Sequence, residues 1–251
     1  MTKAKILGLK DNLETAHLGI AGNANSTWPT PVLQNSHQRI ESIRNTPIKT
    51  SKRCFDLLGA IVGIVFAAPV ILCVAIVILL RDGRPVFYFS ERMKTPDTPF
   101  TLIKFRTMSS VPESQNMGVT GGDKADRITP TGRLLRQYRL DELPQFLNIL
   151  CGDMSFVGPR PPLRQYTDAF RTTYKAVLRS RPGVTGLATL HYHRHEERLI
   201  ARSTSPTETE TIYTTRCIPR KAELDLIYQR HASVWFDAVI IWQTVLSLLK
   251  R

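Results

Sequence analysis

The fold of this chain depends on residues 57–80, LLGAIVGIVFAAPVILCVAIVILL, an apolar block that carries no charge and has Pro69 at its middle. At about 1.5 Å per helical residue, a block of this length can cross a bilayer core of about 30 Å. It begins too late in the chain and runs too long for an ordinary secretory signal, so we interpret it as a retained membrane segment.

Basic residues bracket this block on both sides, with Lys52 and Arg53 before it and Arg81 and Arg84 after it. Because Lys and Arg beside a membrane segment mark its cytoplasmic side, a straight span would leave one basic end outside. Proline removes a backbone donor and bends a helix. The sequence therefore predicts a re-entrant helix, broken at Pro69, that enters and leaves the membrane by the same face.

The chain as a whole is basic, with 34 Lys and Arg against 21 Asp and Glu among 251 residues and a formal net charge of +13. Such a balance indicates an anionic partner, which could be membrane lipid, a phosphorylated substrate or nucleic acid, and plain solubility is the alternative. No recognisable nucleic-acid module occurs in the sequence, so we expect no nucleic-acid partner.

Composition divides the chain into three segments. Residues 1–51 are polar and lack sustained periodicity, which predicts a flexible cytoplasmic tail. Residues 52–84 form the predicted re-entrant helix, and residues 85–251 are long enough for one modest domain. We expect this domain to have an α+β fold, mainly helical, with amphipathic helices at the membrane interface.

Local patterns predict the elements of this domain. β-prone runs at residues 86–90 and 100–105 predict a hairpin with a longer loop that includes residues 94–99. Residues 109–126 are polar and contain glycine, which predicts a second loop. Helices are predicted over residues 132–138, from Asp141 onward, and over residues 162–178, 220–230 and 234–249. The last of these has an apolar stripe with two tryptophans, which suits either a helix in the headgroup layer or one packed on the core.

Two adjacent carboxylates, Asp141 and Glu142, stand in the run RLDELPQ at residues 139–145. Pro144 would fall in the first turn of a helix capped by Asp141, where proline is tolerated. A carboxylate at a helix start stays ionised, which suits a nucleophile or a Mg²⁺ ligand. The alternative is an ordinary cap beside a solvated neighbour.

Cationic side chains surround this pair in the sequence. Arg133, Arg136 and Arg139 recur every third residue and would lie near one helix face, suited to phosphate oxygens, or else they form a solvated basic face. Lys104 and Arg106 would lie on one side of a strand, where they could bind phosphate. The alternative is an ordinary amphipathic edge strand.

Arg160 lies among three prolines in the run GDMSFVGPRPP at residues 152–162. A stiff loop reduces the entropy cost of aiming a guanidinium at an anion, and a rigid connector is the alternative. His191, His193 and His195 alternate, so on a strand they would share a face and suggest a zinc site. A polar loop or a substrate-contacting segment is the stronger interpretation, because no second ligand cluster accompanies them.

Taken together, these segments resemble the bacterial sugar transferase family, the monotopic phosphoglycosyl transferases that start glycan assembly on a polyprenyl phosphate. The resemblance covers residues 52–250 and includes the apolar helix and the runs KRCFDL (52–57), KFRTM (104–108), LDELPQ (140–145), GDMSFVGPRP (152–161), RPGVTG (181–186) and ELDL (223–226). The chain departs from the family pattern at residues 187–194, LATLHYHR, and at Ala68, where a serine is frequent.

The resemblance implies transfer of a sugar 1-phosphate from a nucleotide diphosphosugar, expected to be a UDP-sugar, to undecaprenyl phosphate. The nucleophile falls on Asp141, which would carry the phosphosugar after UMP has left, and its acidic partner falls on Glu142. Both are the candidate ligands of the required Mg²⁺, and the candidate phosphate contacts are Lys104, Arg106, Arg136 and Arg160.

The family also implies a place at the cytoplasmic face of the bacterial inner membrane, in contact with its lipid, and a role in exopolysaccharide or other surface glycan synthesis. A homo-oligomer is left open. The alternative is a non-catalytic scaffold that binds anionic lipid through its basic face.

Overall fold

The apolar block lies inside a single helix, α1 (Thr50–Arg81), in the computed structural model, which describes residues 50–109 and 122–250. Within those residues, α1 is the one helix long and apolar enough to cross a membrane. The helix continues through Pro69, so the proline removes a backbone donor without ending the element, and a bend at this position stays a prediction. The predicted tail and most of the predicted loop over residues 109–126 lie outside the described residues.

The rest of the domain consists mainly of short helices with a few strands. In chain order its elements are β1 (Phe87–Thr95), β2 (Thr98–Phe105), a 3₁₀ helix (Gly122–Arg127), α2 (Pro130–Gln137), a 3₁₀ turn (Leu140–Glu142), α3 (Gln145–Cys151), β3 (Ser155–Val157), α4 (Arg164–Ala169), α5 (Arg171–Val177), β4 (Gly183–Thr185), α6 (Leu187–Ile200), α7 (Pro206–Ile212), a π-helical turn (Tyr213–Cys217), α8 (Ile218–His231) and α9 (Val234–Leu249).

Strands β1 and β2 form the predicted antiparallel hairpin, with Phe87 opposite Phe105 and Thr95 opposite Thr98. The predicted longer loop is wrong, because the strands continue to the two-residue turn at Pro96 and Asp97. The strand tolerates Pro99 because a two-stranded sheet has only edge strands and its register shifts close to this residue.

Several helix predictions need correction. The predicted helix at residues 162–178 is two helices, α4 and α5, separated at Phe170. The end of the predicted loop, residues 122–126, lies in a 3₁₀ helix. The predictions over residues 132–138, 220–230 and 234–249 are confirmed by α2, α8 and α9 to within a few residues at each end.

The three alternating histidines lie on helix α6, so the strand geometry behind the zinc hypothesis is wrong. On a helix, His191 and His195 are one turn apart and His193 lies elsewhere, with its Nε2 at 3.2 Å from Glu197. In the described part of the chain, no group of three or more His, Cys, Asp or Glu residues could hold a metal ion.

Buried polar contacts fix the N-terminal end of α1 to the domain. Lys52 Nζ donates to the Asp237 carboxylate of α9 at 2.5 Å. One turn further, Asp56 is 1% exposed and accepts a hydrogen bond from Ser155 Oγ at 3.0 Å. A Cβ at Gly59 would lie 2.8 Å from the Phe156 ring, so a glycine there lets the helix approach this aromatic side chain closely.

The C-terminal end of α1 is fixed to the same domain. Arg106 donates to the backbone carbonyls of Asp82 and Gly83 at 2.6 and 2.7 Å, and Thr129 Oγ1 donates to the Asp82 carboxylate at 3.0 Å. Ile78 is fully buried in a cluster with Phe105. Both ends of the long helix are therefore anchored in one domain.

Strands β3 and β4 pair in parallel and bring two of the matched sequence runs together, with Ser155 opposite Gly183. A Cβ at Gly158 would lie 2.1 Å from the Arg181 carbonyl oxygen, and a Cβ at Gly186 would lie 2.1 Å from the Gly158 carbonyl oxygen. Only glycine permits such an approach of two backbones. This contact fixes the start of the proline-rich loop that carries Arg160.

Candidate functional site

The two adjacent carboxylates lie in a tight turn between α2 and α3. Arg139 adopts the left-handed conformation, with φ of 56°, and residues 140–142 then form a 3₁₀ turn. The prediction of a helix capped by Asp141 is wrong, because α3 begins only at Gln145, directly after Pro144. Asp141 and Glu142 are 7% and 5% exposed, so the alternative of a cap beside a solvated carboxylate is wrong as well.

A cavity of about 470 Å³, here called the site cavity, lies beside this turn. Its walls include all the residues that the sequence predicted as catalytic or phosphate-binding: Lys104, Arg106, Arg136, Asp141, Glu142 and Arg160. The hairpin, the 3₁₀ turn and the loop after β3 therefore meet at one place. Pro69 is not among the lining residues.

Glu142 is held by three cations. Its carboxylate lies 3.2 Å from Lys104 Nζ, 3.1 Å from an Arg160 terminal nitrogen and 3.3 Å from Arg139 Nε. Burial opposes its ionisation, but the attraction of Arg139, Lys104 and Arg160 outweighs burial and holds the pKa of Glu142 well below its usual range. Glu142 is thus a fixed negative charge at neutral pH.

Asp141 is buried without a comparable partner. No hydrogen bond or salt bridge engages its side chain within the described residues. Burial raises its pKa, Lys104 opposes this rise and the charge of Glu142 adds to it. We expected a helix start to keep this carboxyl ionised, whereas burial favours its neutral form. Its oxygens remain available to a group that enters the cavity.

The cationic residues of the cavity differ in what they already contact. Arg160 has a side chain that is 39% exposed, and Glu142 raises its pKa, so it is a permanent charge, and only one of its nitrogens donates to another described residue. Arg136 Nε donates to Thr107 Oγ1 at 2.9 Å, which orients its guanidinium. Burial lowers the pKa of Lys104, against the attraction of Glu142. These three side chains are suited to bind phosphate oxygens.

The predicted stripe of three arginines is wrong, and Arg106 makes contacts that the sequence did not predict. Arg133, Arg136 and Arg139 do not form one basic stripe, because Arg139 lies beyond the end of α2 and the exposed Arg133 does not line the cavity. Arg106 lies one residue beyond the end of β2. Its guanidinium donates hydrogen bonds to the carbonyls of Asp82 and Gly83, which follow α1. Arg106 therefore also ties the long helix to the wall of the cavity.

Sequence reasoning missed a polar cluster that also lines the cavity. Lys221 Nζ lies 2.9 Å from Glu196 and 3.3 Å from the Tyr213 hydroxyl. Asp225 is 7% exposed, one of its oxygens has no hydrogen bond, and burial raises its pKa to about 7. The run ELDL at residues 223–226 was the available signal, and its helical spacing from Lys221 places Asp225 one turn away.

The donor set fits a magnesium ion. Glu142 Oε2 is buried without a hydrogen bond, and the adjacent Asp141 carboxylate is unengaged. Mg²⁺ in proteins takes one or two carboxylates and completes its shell with water and substrate phosphates. Asp141 and Glu142 could hold such an ion together with a diphosphate.

Comparison with known proteins identifies the family of this chain. The family described as "Bacterial sugar transferase" matches residues 48–251. UDP-glucose:undecaprenyl-phosphate glucose-1-phosphate transferase of Escherichia coli strain K12 is 30% identical over 224 residues, which cover 83% of this chain and 45% of that protein. UDP-N-acetylgalactosamine-undecaprenyl-phosphate N-acetylgalactosaminephosphotransferase of Aeromonas hydrophila is 31% identical over 204 residues, with 79% and 43% covered.

Exopolysaccharide production protein ExoY of Sinorhizobium fredii strain NBRC 101917 / NGR234 is 32% identical over 209 residues, which cover 78% of this chain and 84% of that protein. The chain thus spans less than half the length of the first two relatives and most of the third. The family match extends over the apolar helix and every element around the site cavity. This chain belongs to the bacterial sugar transferase family.

Proposed function

We propose that this protein transfers a sugar 1-phosphate from a UDP-sugar to undecaprenyl phosphate at the cytoplasmic face of a bacterial inner membrane, as the first step of exopolysaccharide or other surface glycan synthesis. The main support is one observation: Asp141 is buried and unengaged beside Glu142, which three cations hold, in a cavity lined by further cations. Relatives with this family's domain carry names for this class of transfer.

In the first step, an oxygen of the Asp141 carboxylate attacks the phosphorus that is attached to the sugar. A bond forms between this oxygen and the phosphorus, and the bond from the phosphorus to the bridging oxygen breaks. The electron pair of the broken bond leaves with UMP. The sugar phosphate is then held on Asp141 as a mixed anhydride.

In the second step, a phosphate oxygen of undecaprenyl phosphate attacks the same phosphorus. The bond to Asp141 breaks, the carboxylate is regenerated and the lipid leaves as a diphosphosugar. Because the reaction is divided into two steps, the site does not need to hold both large anionic substrates at its centre at the same time.

The chain's own cations make this attack by an anion on an anion feasible. Arg160, Arg136 and Lys104 bind the oxygens of the diphosphate and stabilise the charge that develops on them. Glu142 keeps Lys104 and Arg160 in place, because its carboxylate contacts both. Asp141 and Glu142 would hold Mg²⁺, which would neutralise phosphate charge and favour the ionised form of Asp141.

The placement at a membrane surface rests on the anchoring of α1. Its two ends contact the same domain, while its middle exposes apolar side chains such as Val65 and Phe66, which are 66% and 78% exposed. Helix α9 likewise exposes Trp235 and Trp242 at 68% and 63%. A re-entrant helix and an interfacial helix would cover these surfaces with lipid and bring the site to the height of the lipid phosphate.

The reaction is tested with purified protein, undecaprenyl phosphate, Mg²⁺ and a panel of UDP-sugars, with release of UMP as the signal. We expect release with at least one sugar, its loss on chelation of Mg²⁺, and its loss in Asp141→Asn. Asp168→Asn, an exposed change on α4, is the matched control. A non-catalytic scaffold would give no UMP with any sugar.

Topology is tested separately, with single cysteines introduced into residues 1–49 and directly after Arg84 in a variant that lacks the four native cysteines. Both positions should react with a membrane-impermeant thiol reagent only from the cytoplasmic side. Labelling of one of them from the periplasm would show that α1 spans the membrane.

A further inference from the structure

A second cavity, of about 440 Å³, lies between helices α6 and α9. We call it the basic cleft and define it by Arg139 and Thr189, by Arg194 on α6, and by Gln243, Ser247 and Lys250 at the other wall. Nothing in the reaction described above uses this cavity.

The charge of the basic cleft has one sign. Arg139, Arg194 and Lys250 line it, and no Asp or Glu is among its described lining residues. Neither Arg194 nor Lys250 forms a salt bridge within the described residues. Arg139 is paired with Glu142, so Arg194 and Lys250 supply the positive charge of this concave surface, and such a surface attracts an anion.

The basic cleft adjoins the site cavity. Arg139, Thr189 and His193 line both. Arg139 Nε also lies 3.3 Å from Glu142, so this side chain belongs both to the wall of the basic cleft and to the cluster around the carboxylate pair. A phosphate held in the basic cleft would therefore share Arg139 with that cluster.

The two cavities differ in the hydrogen bonds they can make. The site cavity has carboxylates among its lining residues, Glu196 and Asp225, that can accept from the hydroxyls of a sugar or a ribose. The basic cleft offers donors such as Arg194 and Gln243, and its described lining residues include no carboxylate that would repel an anion, which suits a phosphate.

Helix α9 brings apolar side chains to the basic cleft. Leu246 and Leu248 of α9 line it, and the outer face of the same helix exposes Trp242 and Leu249, which are 63% and 78% exposed. A ligand with an anionic head and a long hydrocarbon tail matches both features.

We propose that the basic cleft binds the phosphate head of the polyprenyl phosphate acceptor beside Asp141, while the site cavity takes the nucleotide sugar. This inference rests on the proposed function, of which it assigns the second substrate. The phosphate of a bulk anionic phospholipid shares the same chemistry, and the experiment separates the two sources.

The experiment uses the full chain in neutral detergent micelles and the double variant Arg194→Gln/Lys250→Gln. We expect the Kd for undecaprenyl phosphate and the acceptor KM to rise about tenfold, an effect of about 1.4 kcal/mol. The KM for the UDP-sugar should change much less. The matched control Arg198→Gln/Arg202→Gln removes two exposed charges that line neither cavity and should bind the acceptor like the parent protein.

Several results would overturn the assignment. One is an unchanged Kd for undecaprenyl phosphate in the double variant. Another is an equal rise of this Kd in the control variant. A third is a larger rise of the KM for the UDP-sugar than of the KM for the acceptor. Phosphatidylglycerol vesicles form the second arm. Loss of vesicle binding in the double variant with an unchanged acceptor Kd in micelles would assign the basic cleft to bulk phospholipid.

The binding measurement needs no turnover. If no UDP-sugar yields UMP while the double variant still binds undecaprenyl phosphate about tenfold more weakly, the proposed reaction fails and the acceptor site stands. If UMP is released and acceptor binding is unchanged, the reaction stands and the acceptor site fails.

Discussion

Asp141 and Asp237 are both buried aspartates whose pKa burial raises, yet they have opposite surroundings. Asp237 is fully buried and both its oxygens are used, one by Lys52 and one by the Tyr228 hydroxyl. Asp141 has no such partner within the described residues and faces a cavity. A satisfied buried carboxylate fixes structure, whereas an unsatisfied one at a cavity is available for chemistry.

The largest difference is expected from Asp141→Asn. We expect turnover to fall at least about 10³-fold, because an amide is a poor nucleophile and the adjacent carboxylate of Glu142 is already held by three cations. The thermal midpoint should stay unchanged or rise, because the change removes a buried carboxyl that lacks a partner. UMP release and thermal unfolding measure the two effects. A lower thermal midpoint together with normal turnover would mean that Asp141, like Asp237, fixes structure and is not the nucleophile.

Glu142→Gln should affect activity and stability together. The change removes the charge that Lys104, Arg139 and Arg160 share, so turnover should fall about 10²-fold and the midpoint should drop. Glu91→Gln, at an exposed ion pair with Arg164, is the matched control and should alter neither quantity measurably. Normal kinetics in Glu142→Gln would mean that this cluster is not part of the site.

Asp237→Asn should lower the free energy of unfolding and leave substrate binding unchanged. It leaves Lys52 without its buried partner, so we expect a loss of about 3 kcal/mol in the free energy of unfolding. Urea denaturation in detergent measures this loss. The folded fraction should retain the parental KM for the UDP-sugar, because Asp237 does not line the site cavity. A selective rise of this KM would assign Asp237 a direct role in the site.

The smallest effect concerns the dependence of stability on pH. Burial raises the pKa of Asp225 from 3.8 to about 7, so the folded state holds this proton more tightly than the unfolded state. Its contribution to stability is therefore present below about pH 4 and is lost as pH rises toward 7. Asp225→Asn should flatten the decline of the thermal midpoint between pH 4.5 and 7. An unchanged decline would exclude Asp225 as its source.

Sequence predicted which side chains meet at the site cavity better than it predicted the local backbone. Lys104, Asp141, Glu142 and Arg160 were proposed from charge and motif, and they do meet at one cavity. Periodicity also predicted the bounds of α9, because its apolar stripe is uninterrupted.

What sequence missed depends on tertiary contacts. The left-handed Arg139 delays the start of α3, and no local propensity favours this conformation for arginine. The bonds from Arg106 to the carbonyls after α1, and the buried position of Asp225, arise from segments distant in the chain. A pattern within one segment carries no information on these contacts.

The most direct measurement is the mass of the protein after incubation with the accepted UDP-sugar and Mg²⁺ in the absence of undecaprenyl phosphate. We expect one added sugar phosphate, located on the peptide that contains Asp141, absent in Asp141→Asn and removed by later addition of undecaprenyl phosphate. Transfer to the lipid without any such adduct, or an adduct that persists in Asp141→Asn, would contradict the assignment of Asp141 as the nucleophile.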